Sequence, residues 1–403
     1  MKPLGELCQL TLGGTPPRSE LRFFDKDRQS GHVWLSIADL PATGVRPVVS
    51  DSREHLSNVG AERVRSVRAG TLLLSFKLTI GRMAFAGCEL RTNEAIAALT
   101  NLDERLVLKE YLFWYLTYFN WDEAAEGEEK LKGKTLNLAK LRQVPVLIPP
   151  LKEQRRIVAV LDEAFSAIEA AFTCAERNLR NAQAIFSRRL DGIFASPGHG
   201  WTRETLAQHV QFVDYRGKTP PKAQAGVRLI TAKNVKMGFI QLQPQEFVEP
   251  AAYDGWMTRG IPARGDVLFT TEAPLGNVAQ LDTDERVIIG QRLITMKPEQ
   301  HLLSSSFLAY MLRSAPLQEA IQRRRTGATV AGIKASLLKQ VEIAYPDLLT
   351  QESICDTLGS LAKQCTQLEG LSRRKLAALA ELKQSLLTRA FSGELRTDRA
   401  LAA

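Results

Sequence analysis

The chain has 403 residues, of which 44% are hydrophobic and 24% are charged, a balance typical of globular proteins with two or more domains. We find neither an apolar run of the roughly 20 residues that a membrane helix needs nor an N-terminal secretory signal, and the five cysteines are scattered, so we expect no membrane association, no disulfide framework and a cytoplasmic location. Lys and Arg number 53 against 44 Asp and Glu, which favours a polyanionic partner, with a solvated basic surface as the alternative.

Residues 1–150 are predicted to form a mixed α/β domain. Short β-rich segments, for example 33–37 and 71–76, are separated by turn-forming residues. One helix is predicted among them over 109–119, where apolar side chains recur at helical spacing. Two consecutive prolines, at positions 149 and 150, end this region.

A different period begins at Leu151. From Ile157 to Phe186, apolar residues follow one another at spacings of three or four, which is the pattern of a coiled-coil seam. We therefore predict one long central helix over 151–196. It is expected to end where the sequence becomes rich in turn-forming residues, at Ser196-Pro197-Gly198.

The second half of the chain repeats the plan of the first. Residues 197–346 are again mixed and strand-rich, and residues 347–403 contain a second heptad segment, a distal long helix, with a C-terminal tail. Matching motifs occur in the same order, 194 to 197 residues apart. They pair Gly70 with Gly265, Gly81 with Gly276, Gly133 with Gly327, Gln143 with Gln340, and Gln154 with Gln351. A collinear series of this length indicates a tandem duplication.

The predicted fold class is α+β, with two homologous mixed α/β domains that are separated by two long helices in an internal pseudo-two-fold repeat. A helix with one exposed apolar stripe needs a partner, so we expect the two long helices to pair as an antiparallel coiled coil. The distal seam is interrupted at Ser372 and Lys375. The alternative is that each helix packs separately on its own domain.

The sequence contains no residue pattern typical of a catalytic site. Gly133-Lys134-Thr135 follows Gly127 by six residues, whereas a phosphate-binding loop requires five, and the preceding segment is acidic. The five His residues form no H-E-x-x-H pair, and neither G-x-G-x-x-G nor the Asp/Asn-Pro-Pro-aromatic signature of adenine methyltransferases occurs. We therefore expect a non-catalytic chain that itself binds no metal and no cofactor.

Basic and polar side chains cluster in the turns of both globular regions, which is typical of a surface that binds duplex DNA. Arg can bind guanine and Asn or Gln can bind adenine through two hydrogen bonds, whereas Lys mostly neutralises phosphate. Aromatic residues are only 7% of the chain, which disfavours a single-strand stacking platform. In the first half the candidates are Thr15, Arg18, Lys77, Thr79, Arg82, Lys130, Lys132, Lys134 and Asn137. In the second half they are Arg216, Lys218, Thr219, Lys222, Lys233, Asn234, Lys236, Gln291, Arg292, Arg323, Arg324, Arg325 and Thr326.

The run Arg323–Arg325 is expected to contact phosphates. Three adjacent cations in one turn cannot all reach base edges, whereas phosphates line the duplex at close intervals. Each candidate taken singly has an alternative interpretation as a solvated surface charge.

Several motifs are shared with a known family. Ile148–Ile157 matches the start of its central conserved helix, and Ser385–Leu395 matches the end of its distal helix. Further matches lie at Gly13–Pro16, Trp34–Leu40, Arg216–Pro220, Ile230–Val235 and Gly265–Leu268. The chain thus resembles, over essentially its whole length, the DNA-specificity (HsdS-like) subunit of type I restriction-modification systems. One departure is the segment Tyr345–Gln351, which lacks the second proline and the Glu-Gln pair, so the distal helix is expected to begin differently.

The resemblance implies two target-recognition domains, at 1–150 and 197–346, that bind a bipartite, asymmetric target in double-stranded DNA. It implies that two methyltransferase (modification) subunits supply S-adenosylmethionine-dependent N6-adenine methylation. Two restriction subunits are expected to use ATP and magnesium to cleave unmodified DNA. The rival hypotheses are a stand-alone DNA-modifying enzyme and a coiled-coil scaffold that binds no nucleic acid.

Overall fold

The computed structural model describes residues 1–42, 44–125, 129–130, 133–215, 220–327 and 331–394, without the side chains of 129–130 and 133–135. The chain divides into two compact units. Unit 1 consists of residues 1–176 together with 373–403, and unit 2 consists of residues 177–372. Each unit therefore contains one sheet-bearing region and a part of both long helices.

The sheet-bearing region of unit 1 is built from short strands and helices. Its strands are β1 (Lys2–Pro3), β2 (Gln9–Leu12), β3 (Phe24–Asp25), β4 (His32–Leu35), β5 (Val48–Val49), β6 (Glu54–Leu56), β7 (Ser66–Val67), β8 (Leu72–Ser75), β9 (Lys77–Leu78), β10 (Met83–Ala86), β11 (Leu90–Thr92), β12 (Ile96–Thr100), β13 (Glu129–Lys130), β14 (Gly133–Thr135) and β15 (Pro145–Val146). Its helices are α1 (Leu4–Leu7), α2 (Asn58–Ala61), α3 (Lys109–Tyr118), α4 (Trp121–Ala124) and α5 (Leu138–Arg142), and the long helix α6 (Leu151–Ala195) begins here. The strands form sheets in the orders β2-β12-β8-β10-β5, β3-β6-β4-β11-β7, β13-β14-β9 and β1-β15.

Unit 2 has a similar set of elements. Its strands are β16 (Thr202–Thr205), β17 (Val210–Asp214), β18 (Val227–Ile230), β19 (Val235–Lys236), β20 (Phe239–Ile240), β21 (Glu246–Val248), β22 (Val267–Thr270), β23 (Val278–Gln280), β24 (Val287–Ile289), β25 (Leu293–Pro298) and β26 (Glu342–Tyr345). Its helices are α7 (Leu206–His209), α8 (Tyr253–Trp256), α9 (Ser305–Arg313), α10 (Ala315–Arg323) and α11 (Ala335–Lys339), and the long helix α12 (Leu348–Phe391) begins here. The sheets have the orders β17-β25-β22-β23, β21-β18-β24, β19-β20 and β16-β26.

The order of the strands confirms the duplication. The antiparallel sheet β2-β12-β8-β10 of unit 1 has the same arrangement as β17-β25-β22-β23 of unit 2. The second sheet also has a common centre, because a parallel pair is flanked by one antiparallel strand in both β6-β4-β11 and β21-β18-β24. The predicted α+β class and its internal repeat are therefore confirmed.

An aromatic contact joins the sheet-bearing region to a long helix in each unit. In unit 1, Trp114 of α3 packs on Phe165 of α6, with ring centroids 4.5 Å apart. In unit 2, Phe307 of α9 packs on Phe194 of α6 at 5.3 Å. The predicted helix over 109–119 corresponds to α3, which buries six consecutive residues because it is covered on several sides.

Both long helices have the predicted extent and pair with each other. With 45 residues and a rise of about 1.5 Å per residue, α6 is about 68 Å long. In unit 1, Leu161 near its start shares a hydrophobic core with Leu387 near the end of α12. In unit 2, Leu190 near its end shares a core with Leu358 near the start of α12. The pairing is therefore antiparallel, and the alternative that each helix packs only on its own domain is wrong.

The expectation that the distal helix begins differently from the central one holds for its cap but not for its position. The helix α12 begins at Leu348, which is the equivalent of Leu151, 197 residues later. Asp347 takes the place of the second proline and caps the helix, because its carboxylate accepts hydrogen bonds from the backbone N–H of Thr350 at 3.0 Å and from its hydroxyl at 2.8 Å. These bonds also hold the pKa of Asp347 below its ordinary value.

A buried glutamine in the first turn of each long helix makes the same three hydrogen bonds. The Oε1 atom of Gln154 accepts from the N–H of Leu108 at 2.8 Å, and its Nε2 donates to the carbonyls of Leu106 at 2.7 Å and Pro149 at 2.8 Å. The corresponding partners of Gln351 are the N–H of Ser304 and the carbonyls of Leu302 and Pro346, at 2.8 to 2.9 Å. Both side chains are fully buried. We call this arrangement the glutamine clamp.

Replacing Gln154 by Leu keeps the side-chain volume and leaves three backbone groups without a partner inside unit 1. Unsatisfied buried groups cost about 1–3 kcal/mol each before relaxation, so we expect the variant to lose roughly 3 kcal/mol of unfolding free energy. The measurement is urea denaturation followed by circular dichroism. Gln183→Leu, at an exposed position of the same helix, is the control and should change the unfolding free energy by less than about 0.5 kcal/mol. Equal stability of the two variants would contradict the clamp.

Candidate nucleic-acid interface

Loops converge at one end of the five-stranded sheet β2-β12-β8-β10-β5 of unit 1, which we call its main sheet. The N–H of Gly81 donates to the carbonyl of Ser75 at 2.9 Å, which closes the loop after β8. The N–H of Phe76 donates to the carbonyl of Ala95 at 3.1 Å, which brings the turn before β12 alongside. We call residues 76–82 and 93–95, together with Thr15, the loop edge of unit 1.

Four of the predicted residues meet at this loop edge. Thr79 is exposed and Lys77 is half-buried, with its ammonium 5.3 Å from the centre of the Phe76 ring. Thr15 donates a hydrogen bond to Glu94. Arg82 is also present, but its guanidinium donates to the carbonyl of Leu40 at 3.3 Å and so supports a neighbouring loop.

Glu94 is a residue of this edge that the sequence did not single out. Partial burial raises the pKa of Glu94, but the hydrogen bond from Thr15 and the positive charges of Lys77 and Arg18 outweigh that effect, so the pKa lies below its ordinary value. A charged carboxylate can accept from the amino group of cytosine. Its counterpart in unit 2 is Gln291, because the next residues, Ala95 and Arg292, accept equivalent bonds from the N–H groups of Phe76 and Thr271.

Arg18 is held by its own domain. Its guanidinium forms two hydrogen bonds with the carboxylate of Glu54, one of them at 2.9 Å, and lies 5.1 and 5.0 Å from the ring centres of Phe24 and Trp34. The bond to Glu54 raises the pKa of Arg18 although partial burial opposes it. Because 56% of the side chain is still exposed, Arg18 can approach a phosphate but is not free to follow a base edge.

The same end of the sheet in unit 2 carries an equivalent set of loops. The N–H of Gly276 donates to the carbonyl of Thr270, and that of Thr271 donates to the carbonyl of Arg292, both at 2.9 Å. The side chain of Asn277 donates to the carbonyl of Val235 at 2.9 Å and attaches the β19–β20 hairpin to this group. Residues 235–240, 271–277 and 290–292 form what we call the loop edge of unit 2.

This second edge contains Lys236, Gln291 and Arg292 from the predicted set. Gln291 and Arg292 are exposed, and Arg292 has a positive φ of 70°, a strained conformation that is often found at functional sites. Its guanidinium pairs with Glu272 at 2.8 Å. An arginine already oriented by a carboxylate presents its remaining N–H groups in a fixed direction.

Two further lysines are attached to one carboxylate beside this edge. The ammonium groups of Lys222 and Lys233 lie 2.7 and 3.8 Å from Glu246. Asn234, by contrast, is fully buried. Its amide oxygen accepts from the N–H of Thr231 at 3.0 Å, and its nitrogen donates to the carbonyl of Pro244 at 2.9 Å. Asn234 therefore holds a turn, and we remove it from the candidate interface.

The arginine run is not one continuous turn. Arg323 is the last residue of α10 and pairs with Glu319 at 3.2 Å. Arg324 follows as the C-cap and donates to the carbonyl of Ala320 at 3.2 Å. Arg325 is exposed and precedes Thr326, which pairs with Gly332 and so approaches the loop edge through the bridge between Gly332 and Glu272. Of the two exposed arginines of the run, Arg323 and Arg325, Arg325 is the one adjacent to this bridge.

The remaining predicted residues carry less information. Asn137 is the N-cap of α5, where its side chain accepts from the N–H of Lys140 at 2.8 Å. Lys132, Arg216, Lys218 and Thr219 lie outside the described residues, as do the side chains of Lys130 and Lys134.

Within the described part of the chain, no group of three His, Cys, Asp or Glu residues is arranged to hold a metal ion. In the same residues, no helix combines the length and the apolar character that a membrane span requires.

Curated proteins similar to this chain are specificity subunits. A Haemophilus influenzae protein named as a type I restriction enzyme specificity subunit is 23% identical over 274 residues, 64% of this chain and 66% of that protein. The EcoR124I/EcoR124II specificity subunit of Escherichia coli is 25% identical over 304 residues, 70% of each chain. The alignments thus span about two thirds of the length of these relatives.

Solved structures show the same fold. A chain from a structure of a type I R-M system has a TM-score of 0.75 at 20% identity and covers 98% of this chain and 97% of its own. The HsdS subunit from Thermoanaerobacter tengcongensis has a TM-score of 0.59 at 19% identity, with 97% and 96% covered. The family described as type I restriction modification DNA specificity domain matches residues 1–172 and 259–377. Because this match covers more than half of the chain, the chain belongs to the type I restriction-modification DNA specificity family.

Proposed function

We propose that this chain is the sequence-reading subunit of a type I restriction-modification complex and that each unit reads one half of a bipartite duplex target. The observation that carries the proposal is the duplicated loop edge. Two equivalent sets of loops stand at the same end of two equivalent sheets, and each contains exposed cations and polar side chains. Two equivalent sets of DNA-contacting loops on one chain match a target that consists of two half-sites.

The two loop edges favour different half-sites. Unit 1 presents Lys77, Thr79 and the carboxylate Glu94, whereas unit 2 presents Gln291 and Arg292. Gln binds adenine and Arg binds guanine through paired hydrogen bonds, while a carboxylate selects cytosine. Because the side chains differ at equivalent positions, the target is asymmetric.

We further propose that catalysis is supplied by partners in the cytoplasm. Two modification subunits would use S-adenosylmethionine to methylate adenine at N6, and two restriction subunits would use ATP and magnesium to cleave unmodified DNA. This chain would contribute binding and orientation and would bind none of these cofactors itself. A coiled-coil scaffold without nucleic acid is the rival, and it gives no role to the two equivalent edges.

Exchange of residues 197–346 for the same segment of another family member should change one half of the methylated motif and leave the other half intact, because the two loop edges belong to separate units. The measurement is sequencing of N6-methyladenine in cells that express the chimaera with its modification subunits. Cells with this chain but no modification subunits are the control and should show no methylated motif. A change in both halves would contradict independent reading, and methylation without modification subunits would contradict the non-catalytic role.

Arg325→Ala should weaken the complex similarly on all duplexes and reduce the slope of log affinity against log salt by about one, because one phosphate contact is lost. The measurement is fluorescence anisotropy of the complex on specific and random duplexes at several salt concentrations. Arg264→Ala is the matched control, since Arg264 pairs with Asp284 at 2.6 Å at the end of the sheet away from the loop edge. The salt slope of the Arg264→Ala complex should equal that of the wild-type complex. An altered motif with an unchanged slope for Arg325→Ala would overturn the phosphate assignment.

A further inference from the structure

Large apolar side chains are exposed on the hairpin of the unit 2 loop edge. Met237 and Phe239, at the turn between β19 and β20, are 43% and 59% exposed, and Leu242 just after the hairpin is 62% exposed. Side chains of this size are usually buried, and a group of them on a polar surface commonly marks a binding site.

A backbone hydrogen bond and a packed arginine hold the turn of the β19–β20 hairpin in place. The N–H of Gly238 donates to the carbonyl of Val278 at 2.7 Å, and Gly238 has a φ of 96°, with space for a Cβ blocked by the guanidinium of Arg313 at 2.7 Å. The guanidinium of Arg313 itself lies against the neighbouring rings of Phe186 and Tyr310, 5.2 and 5.3 Å from their centres. Because the turn is already ordered, Phe239 is presented at little additional entropic cost on binding.

The charge around the hairpin favours a polyanion as the partner. Residues 232–245 include Lys233 and Lys236 and no Asp or Glu. Glu246, the next residue, lies 3.8 Å from the ammonium of Lys233, so Lys236 is the cation that this segment adds without a carboxylate of its own. Gln243 and Gln245 are exposed in the same segment and can hydrogen-bond to bases or phosphates. Cations beside an exposed aromatic ring and exposed amides are the features of a DNA contact that inserts an apolar side chain.

The equivalent segment of unit 1 lacks these features. Residues 38–50 contain no aromatic side chain and no lysine. Leu40 is buried, and the carboxylate of Asp39 is used by the N–H of Ser36 at 2.8 Å. Unit 1 exposes the aliphatic side chains of Val48 and Leu78, at 64% and 49%, so among the described residues of the two compared segments the exposed aromatic side chain belongs to unit 2.

We propose that Phe239, supported by Met237, inserts between two base pairs of the half-site read by unit 2 and unstacks that step. This inference rests on the proposed function. Proteins that insert apolar side chains unstack a base step and kink the duplex, and some sequences unstack more easily than others. Phe239 would thus select an easily deformed step without a hydrogen bond to any base, and only one of the two half-sites would be distorted.

The test uses the complex of the full chain with its modification subunits on a duplex that carries the methylated motif found by sequencing. 2-Aminopurine is placed at each position of both half-sites in turn, since its fluorescence rises when a base is unstacked. Flipping of the target adenines gives a signal of its own, so each position is compared between wild type and variant. Phe239→Ala should lose the signal at one step of the unit 2 half-site and about ten-fold in affinity, whereas Phe239→Leu should retain most of both.

Ile261→Ala is the matched control, because Ile261 is an apolar residue of unit 2 that is 61% exposed and precedes β22, at the end of the sheet away from the loop edge, and it should leave affinity and fluorescence unchanged. Unchanged fluorescence and affinity in Phe239→Ala, with normal binding by wild type, would overturn the insertion alone. Loss of the modification subunits from the Phe239→Ala complex would show that the hairpin docks protein, which also overturns it. Failure of the wild-type complex to bind any duplex would instead overturn the proposed function itself.

Discussion

The buried glutamine at the start of each long helix is the contact on which the rest of each unit depends. Its amide joins the helix to the segment that leads into α3 or α9, through one N–H and one carbonyl of that segment. The third bond goes to the carbonyl of the proline near the start of the same long helix. A buried amide with all three bonds made has one stable orientation, whereas apolar contacts alone tolerate sliding. The clamp therefore fixes the direction of α3 on α6 and of α9 on α12, and the aromatic contacts that Trp114 and Phe307 make with α6 add apolar burial.

In both units the residues that maintain the fold are equivalent, whereas the side chains in the loops differ from one unit to the other. The four-stranded antiparallel arrangement, the clamp and the closing bonds of Gly81 and Gly276 are the same in both. Both glycines have a positive φ, 86° and 95°, which lets the loop return to the strand it has just left. The side chains in the loops that these bonds close differ between the two units. A duplicated framework with divergent loops can change its ligand without loss of stability.

The repeat and both long helices could be predicted from the sequence because they depend on local periodicity and on a collinear order of motifs. The cap of α12 could not, because an aspartate and a proline are chemically unlike and yet both begin a helix well. Several interface candidates also have partners within the chain that the sequence did not reveal. Arg18 is paired with a glutamate 36 residues away. The side-chain amide of Asn234 donates a hydrogen bond to the carbonyl of Pro244 and so stabilises a turn. Composition cannot show that a polar group is already satisfied. Phe239 was overlooked for the converse reason, since an aromatic residue in a β-rich segment is normally read as core.

Photo-crosslinking from the loop edges tests the central claim, that each unit reads its own half-site through this end of its sheet. A photoreactive amino acid is placed at Thr79 or Gln291 in the full complex, with Glu89 and Asp284, at the opposite ends of the sheets, as control positions. The account predicts that the probe at Thr79 crosslinks to one half-site, that the probe at Gln291 crosslinks to the other, and that neither control crosslinks to the duplex. Crosslinks from both edges to the same half-site, or crosslinks from the controls alone, would contradict it.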